Sequence, residues 1–234
     1  QGRNMPDVLS MNLYNVLQNV FFPLMSAHQD DKERLLKIYK KGIQGTAFII
    51  IPAMVGLMLI AEPFVHCVLS EKWDGAIIVI QWIALSRIII PISALNCSII
   101  NAVGRSDIYL KIDLLKLPLT VGALLATFSF GLEVIVIGNA IVSAICFFIN
   151  AYYPGKWFGL GAWEQLKNIT PIILCTLCMA LPLYFIKLDN KLLEMILKVA
   201  IGPIIYSIMC YLMKVETFME ICTLLKSKIN KESA

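Results

Sequence analysis

Long stretches without a charged residue constrain this sequence more than any other feature. Seven stretches of 16 to 30 residues contain only two charged side chains, Arg87 and Lys198, and they cover 8–29, 42–61, 75–104, 117–132, 134–155, 168–186 and 195–213. A helix needs about 20 mostly apolar residues to cross roughly 30 Å of hydrocarbon, and a chain in lipid must satisfy its own backbone hydrogen bonds. We therefore predict an all-α, polytopic transmembrane helical bundle of seven spans over residues 1–213, followed by a cytoplasmic amphipathic tail over 214–234.

Composition and motifs exclude several protein classes. The chain is 59% hydrophobic and 15% charged, with a mean hydropathy of +0.77, which is not the composition of a soluble domain, a disordered chain or a coiled coil. Its net charge of +4 is too small to indicate a nucleic-acid partner. The seven cysteines are scattered, and no catalytic or phosphate-binding motif occurs. We expect no enzyme activity, no metal and no cofactor.

The distribution of cations predicts how the helices are oriented. Of the 20 Lys and Arg residues, fourteen lie after the first, third, fifth and seventh stretches, and four lie in the other connections. Because Lys and Arg are retained on the cytoplasmic side, the C-terminus should be cytoplasmic and the N-terminus exoplasmic. The N-terminus has no signal-peptide pattern, so we expect the chain to be a fragment of a longer membrane protein.

Polar residues at membrane depth are the candidate site residues, because they are costly to bury in lipid. Arg87 lies mid-stretch, and its paired donors suit a phosphate or a carboxylate. Asparagines make one side of the first helix polar, as expected beside a wet cavity, and two more follow Arg87. The candidate substrate-binding residues are Arg87, Asn12, Asn15, Asn19, Asn96 and Asn101. An ion pair between Arg87 and a carboxylate of a neighbouring helix remains the structural alternative.

Four short patches give the sequence a family resemblance. They are FFPLMSAHQDD at 21–31, GLMLIAEPFV at 56–65, LSEKW at 69–73 and NAVGRSD at 101–107. In order and spacing they resemble the second half of bacterial polysaccharide flippases in the multidrug, oligosaccharidyl-lipid and polysaccharide exporter superfamily. The resemblance implies two helical lobes around a central cavity in the bacterial inner membrane. It further implies that undecaprenyl-diphosphate-linked oligosaccharide is translocated for surface polysaccharide assembly, with this lipid-linked oligosaccharide, membrane lipid and a missing N-terminal lobe as partners.

Two other functions stay open at this point. A multidrug or cation antiporter of the same superfamily should need a buried carboxylate in its pathway, and none of the sixteen acids falls within a predicted span. A membrane enzyme acting on lipid-linked sugars would need acids or histidines at an interface, for which the turn at 62–74 is the candidate. A purely structural membrane subunit is a third possibility.

Overall fold

The computed structural model describes residues 4–68 and 71–232, and these residues form helices with no β-strand among them. Single 3-10 turns occur at Glu71–Trp73 and Phe128–Phe130. The helices are α1 Asn4–Ser26, α2 Lys32–Val68, α3 Gly75–Ala102, α4 Ser106–Thr127, α5 Leu132–Phe158, α6 Ala162–Phe185, α7 Lys191–Leu212 and α8 Glu216–Glu232. The predicted all-α fold class is confirmed.

Five of these helices, namely α2, α3, α5, α6 and α7, are long and apolar enough to cross a membrane. The chain is therefore a multi-pass membrane protein. The other two predicted spans correspond to α1 and α4, which are 23 and 22 residues long but more polar. Asparagines reduce the hydropathy of α1, and α4 contains Asp107, Lys111, Asp113 and Lys116. Membrane crossing by α1 and α4 stays a prediction.

Helix α2 differs most from its predicted limits of 42–61. It continues from Lys32 to Val68 as 37 residues, with Pro52 and Pro63 inside it. At about 1.5 Å per residue it is roughly 55 Å long, well beyond the thickness of the hydrocarbon core. Proline does not end it, because neighbouring helices and local adjustments can satisfy the freed backbone groups in a packed bundle. The charged N-terminal segment of α2, from Lys32 to Lys41, therefore continues the helix beyond the predicted span, and its apolar side chains Leu35 and Tyr39 are buried in the core.

Local sequence explains where other helices begin and end. Gly159 has φ +72°, a left-handed conformation that side-chain-bearing residues rarely adopt, and it ends α5. Asn190 begins α7, because its side chain accepts hydrogen bonds from the backbone amides of Leu192 and Leu193, each at 3.1 Å.

Contacts between helices establish their directions. Asp7 bonds Arg87 and Gln18 bonds Ser98, and because both pairs are 80 residues apart, α1 runs parallel to α3. At the far end of α2, Lys191 lies 3.3 Å from Glu62, so α7 begins where α2 ends. The helices that follow one another therefore alternate in direction along the bundle.

The cation-rich connections lie together at one end of the bundle, which we call the basic end. Lys32 lies 5.9 Å from the ring centroid of Phe158, and Arg105 lies 5.8 Å from that of Trp157. These contacts bring the start of α2, the α3–α4 turn and the end of α5 together. Lys41 pairs with Glu220, which places α8 at the same end. This arrangement is the one that the alternating charge pattern requires.

The core is formed around α2, which packs against α3, α6 and α7, while α3 also packs against α1 and α5. Its largest buried side chains include Met25, Leu35, Ile50, Leu95 and Ile172. Large apolar side chains such as Leu125, Phe185 and Ile208 are exposed on the outside, as expected for helices whose outer faces contact lipid rather than water.

Candidate functional site

A cavity of about 950 Å³ lies between α3, α4 and α5, at the end of the bundle opposite the basic end. The first half of α3, the last third of α4 and the first half of α5 form its walls. Most of its surface is apolar, with Ile80, Ile83, Leu124, Val136 and Val142 among the lining residues. We call it the cationic cavity, for the reason given next.

The two charged side chains that line this cavity are both cations, Lys72 and Arg87, and the described lining residues include no carboxylate. Thr120, Thr127 and Asn139 add neutral polar groups. Lys72 is exposed just before α3 begins, whereas Arg87 lies thirteen residues into that helix. Positive charge with apolar walls matches an anion attached to an apolar chain, and Arg suits phosphate because it offers several fixed donors.

Arg87 is also paired with an acid, which is the alternative that the sequence left open. Its Nε donates to Oδ1 of Asp7 on α1 at 2.5 Å. The two terminal nitrogens of its guanidinium make no hydrogen bond to any described residue. The pair is not sealed in a dry core, because Arg87 faces the cationic cavity. Asp7 thus holds the guanidinium of Arg87 in position, while the terminal nitrogens of Arg87 remain available to donate hydrogen bonds to a ligand.

The asparagines predicted on α1 do not share a cavity with Arg87. Asn12, Asn15 and Asn19 are all exposed. They occupy the opposite side of α1 from Ser10 and Leu17, which are buried. In the described part of the chain this asparagine face has no helix packed on it.

Asn96 lies in the core and does not line the cationic cavity. It is fully buried and accepts a hydrogen bond from the hydroxyl of Tyr39. Gln165 donates to the same hydroxyl at 3.0 Å and to the carbonyl of Leu160 at 2.9 Å. This cluster joins α2, α3 and α6, so the geometry gives Asn96 a connecting position rather than the predicted position at a cavity surface.

Asn101 lines a second, smaller cavity of about 220 Å³ nearer the basic end, which we call the polar cavity. Five positions along a helix correspond to a rotation of about 140°, which is why Asn101 faces this cavity and Asn96 does not. The polar cavity lies between α1, α3, α4 and α5. Its polar lining residues are Tyr14, Gln18, Ser93, Ser98, Asn101, Tyr109 and Asn150.

Comparisons with known proteins find similarity to bacterial polysaccharide biosynthesis proteins. Residues 1–78 match the family model described as "Polysaccharide biosynthesis protein". The chain is 31% identical over 142 residues to the lipopolysaccharide biosynthesis protein WzxC of Escherichia coli K12, covering 61% of this chain and 27% of that protein. It is 25% identical over 214 residues to the succinoglycan biosynthesis transport protein ExoT of Rhizobium meliloti, covering 85% of this chain and 42% of that protein.

The resemblance to bacterial polysaccharide exporters is confirmed. A third relative, an uncharacterized membrane protein in the cps region of Klebsiella pneumoniae, is 29% identical over 137 residues, or 58% of this chain and 27% of that protein. The chain thus spans less than half the length of these curated relatives. No solved structure matches it. The family-model match ends at residue 78, so most of α3 and all of α4 and α5, which form the cationic cavity, lie beyond it.

The sequence interpretation missed several polar residues of the bundle. Ser93 and Asn150, which line the polar cavity, are single neutral residues in apolar stretches and gave no signal by themselves. Glu194 and Lys198 form a buried ion pair at 2.6 Å, and Lys191 links Glu194 to Glu62. The Glu-x-x-x-Lys spacing on one helix could have predicted that pair. Among the described residues no group of three or more His, Cys, Asp or Glu could hold a metal ion.

Proposed function

We propose that this chain is part of a transporter that moves saccharide units linked to undecaprenyl diphosphate across the bacterial inner membrane for surface polysaccharide assembly. In this proposal the chain translocates its substrate and catalyses no reaction. The observation that carries it is the cationic cavity, which combines Arg87 and Lys72 with apolar walls. A saccharide diphosphate cannot enter hydrocarbon unaided, so its carrier must offer a charged, hydrated surface beside a place for the lipid.

Arg87 is the residue that we assign to the diphosphate. Asp7 engages its Nε, which leaves the terminal nitrogens free to bind two phosphate oxygens side by side. The first residue of α3, Gly75, lies about 18 Å from Arg87 along the helix axis, and Lys72 comes three residues before it. One cation at the exposed end and one deep in the cavity would allow a phosphate to be passed inward or outward.

The asparagine face of α1 has a place in the same proposal. Asn12, Asn15 and Asn19 are exposed and neutral, and a polar helix face is costly against lipid. We assign this face to the transport pathway, opposite the N-terminal lobe that a longer protein would contribute. By the excess of Lys and Arg we assign the basic end, the C-terminus and α8 to the cytoplasmic side, where α8 would contact membrane lipid.

A cation antiporter is less well supported by the same contacts. That function needs a carboxylate free to take up a cation or a proton. Asp7 is engaged by Arg87, and Glu194 is engaged by both Lys191 and Lys198. Asp7 and Glu194 are thus each paired with a cation, and the absence of a carboxylate among the described lining residues of the cationic cavity favours an anionic substrate.

The test replaces Arg87 in the full-length protein. We expect Arg87→Ala to remove nearly all surface polysaccharide while the amount of folded protein is unchanged, and Arg87→Lys to retain part of the polymer because charge is kept and the paired donors are lost. Arg105→Ala is the matched control, since Arg105 is an exposed cation at the basic end that pairs with Asp107. Its polymer level should equal that of wild type.

The double variant Asp7→Asn with Arg87→Gln separates transport from a structural ion pair. If Arg87 only ties α1 to α3, neutralising both partners should restore the polymer that Arg87→Ala loses. We expect the double variant to stay inactive, because the phosphate ligand is still absent. Restored polymer in the double variant, or wild-type polymer in Arg87→Ala, would remove the assignment.

A further inference from the structure

The polar cavity concentrates buried polar atoms that lack a partner. Five buried side-chain atoms have no hydrogen-bond partner among the described residues, and three of them belong to residues that line this cavity: Ser93 Oγ, Asn101 Oδ1 and Asn150 Oδ1. Buried polar groups are nearly always hydrogen-bonded, because leaving one unpaired costs free energy. Three together at one cavity indicate a site that is completed by a ligand able to donate hydrogen bonds.

The chemistry of the lining favours a neutral, hydroxyl-rich ligand. Its described residues supply amides, hydroxyls and two tyrosine rings, and none of them is charged. A bare cation here would lack a free counter-charge, which is costly at membrane depth, because Asp113, the acid that interacts with Tyr109, is already paired with Lys116 at 2.6 Å. A sugar ring, by contrast, donates hydrogen bonds to amide oxygens, accepts them from amide nitrogens, and packs its apolar edge on an aromatic ring. The volume of about 220 Å³ is of the size of one hexose ring.

The position of the polar cavity connects it to Arg87. One face of α3 lines the cationic cavity with Ile83 and Arg87, and then lines the polar cavity with Ile90, Ala94 and Asn101. At about 1.5 Å per residue, the near wall of the polar cavity begins only about 5 to 10 Å along the helix from Arg87. A diphosphate bound at Arg87 could therefore extend its attached sugar into the polar cavity without leaving this face.

From these observations we propose that the polar cavity is the saccharide-recognition subsite for the sugar unit next to the diphosphate. This inference rests on the proposed function, because it takes the same lipid-linked substrate. Asn101 and Asn150 are the residues that bind the sugar hydroxyls. Tyr14, which is exposed on α1, also lines this cavity, and the hydrogen bond from Gln18 to Ser98 at 3.0 Å fixes α1 as the wall on that side.

The test compares two lipids bound to the full-length protein in nanodiscs. One is undecaprenyl diphosphate, and the other is the same lipid carrying the saccharide unit, extracted from the producing strain. We expect wild type to bind the saccharide-bearing lipid at least tenfold more tightly. Asn101→Leu and Asn150→Leu should each reduce that preference by about two- to tenfold, the equivalent of one neutral hydrogen bond, and leave the affinity for undecaprenyl diphosphate unchanged. Should a leucine variant not fold, the alanine variant carries the same expectation.

Two further variants make the outcomes distinguishable. Arg87→Ala should weaken binding of both lipids by the same factor, and Asn168→Leu, an asparagine of α6 outside both cavities, should change neither. If the lipids bind through Arg87 but both asparagine variants keep the full saccharide preference, the subsite is overturned while the proposed function stands. If neither lipid depends on Arg87, the proposed function itself fails. A sodium-dependent stabilisation that disappears in the asparagine variants, with saccharide preference intact, would identify a cation site and also overturn the inference.

Discussion

Arg87 and Lys198 are both cations inside long apolar stretches, yet they lie in very different surroundings. The side chain of Lys198 is 6% exposed and its Nζ is bound by Glu194, itself 1% exposed, and by the carbonyl of Leu59 at 3.2 Å. The side chain of Arg87 is 21% exposed, its acid Asp7 is 36% exposed, and it borders the cationic cavity. One cation is enclosed by the protein, and the other faces an open space.

The two cations differ in where the acid that pairs with each of them lies in the sequence. Glu194 is four residues before Lys198 on the same helix, so the pair forms as soon as α7 forms. Asp7 is 80 residues from Arg87 on a separate helix, and it engages only one of the guanidinium nitrogens. A cation at membrane depth therefore indicates a ligand site only when no acid in the neighbouring turns of its own helix already pairs with it.

The largest expected effect comes from breaking the buried pair. Glu194→Ala should destabilise the protein by about 3–5 kcal/mol, because it leaves Lys198 charged and buried without its partner. The double variant Glu194→Leu with Lys198→Met should recover most of that loss, since apolar side chains of similar size can replace a buried ion pair. Thermal unfolding of the full-length protein in detergent measures both. A single variant as stable as wild type would mean that water reaches Lys198 and that the two cations do not differ.

A smaller effect is expected from the pair at the cavity. Asp7→Asn should cost only about 1–2 kcal/mol, because hydration from the cavity can compensate Arg87 and the amide can still accept one hydrogen bond. We expect transport to be impaired more severely than a loss of stability of this size would cause, since the guanidinium is no longer held in place. The same unfolding measurement, combined with the amount of surface polysaccharide, checks both expectations. A loss of stability as large as that of Glu194→Ala would show that Arg87 is enclosed by the protein in the same way as Lys198.

The sequence was sufficient to predict that the chain forms a bundle of long helices, but it was insufficient to predict where each helix begins and ends. Uncharged stretches predicted the helical bundle, because only helices satisfy the backbone over such lengths in lipid. The predicted end of α2 at residue 61 was wrong, because the helix continues to Val68, and α4 begins at Ser106 although the predicted span began at 117. In both places charged or proline-containing segments stay helical because of their neighbours. Asp113 and Lys116, for example, pair at 2.6 Å within α4.

The candidate site was predictable only in part, for a related reason. Arg87 stands out because a charge in a long apolar stretch is rare. Asn96 and Asn101 looked equivalent, but Tyr39 and Gln165, from α2 and α6, enclose Asn96 in the core. Asn150 lines the polar cavity together with Asn101, but it lies on α5 whereas Asn101 lies on α3, with the whole of α4 between them in the sequence. Such pairings depend on tertiary contacts that hydropathy and spacing do not encode.

The smallest expected effect completes the series of ion pairs. Lys41 and Glu220 join α2 to α8 at 2.5 Å, but their side chains are 44% and 47% exposed. Exposed pairs gain little because water and salt screen them, so Lys41→Ala should leave the stability unchanged within the precision of the unfolding measurement. The packing of Phe218 against Phe48, with ring centroids 6.3 Å apart, would then be the contact that keeps α8 in place. Phe218→Ala should accordingly release α8 to proteolysis in membrane vesicles, whereas Lys41→Ala should not. If α8 were cleaved as fast in Lys41→Ala as in Phe218→Ala, the contribution of an ion pair to stability would not follow from how deeply the pair is buried.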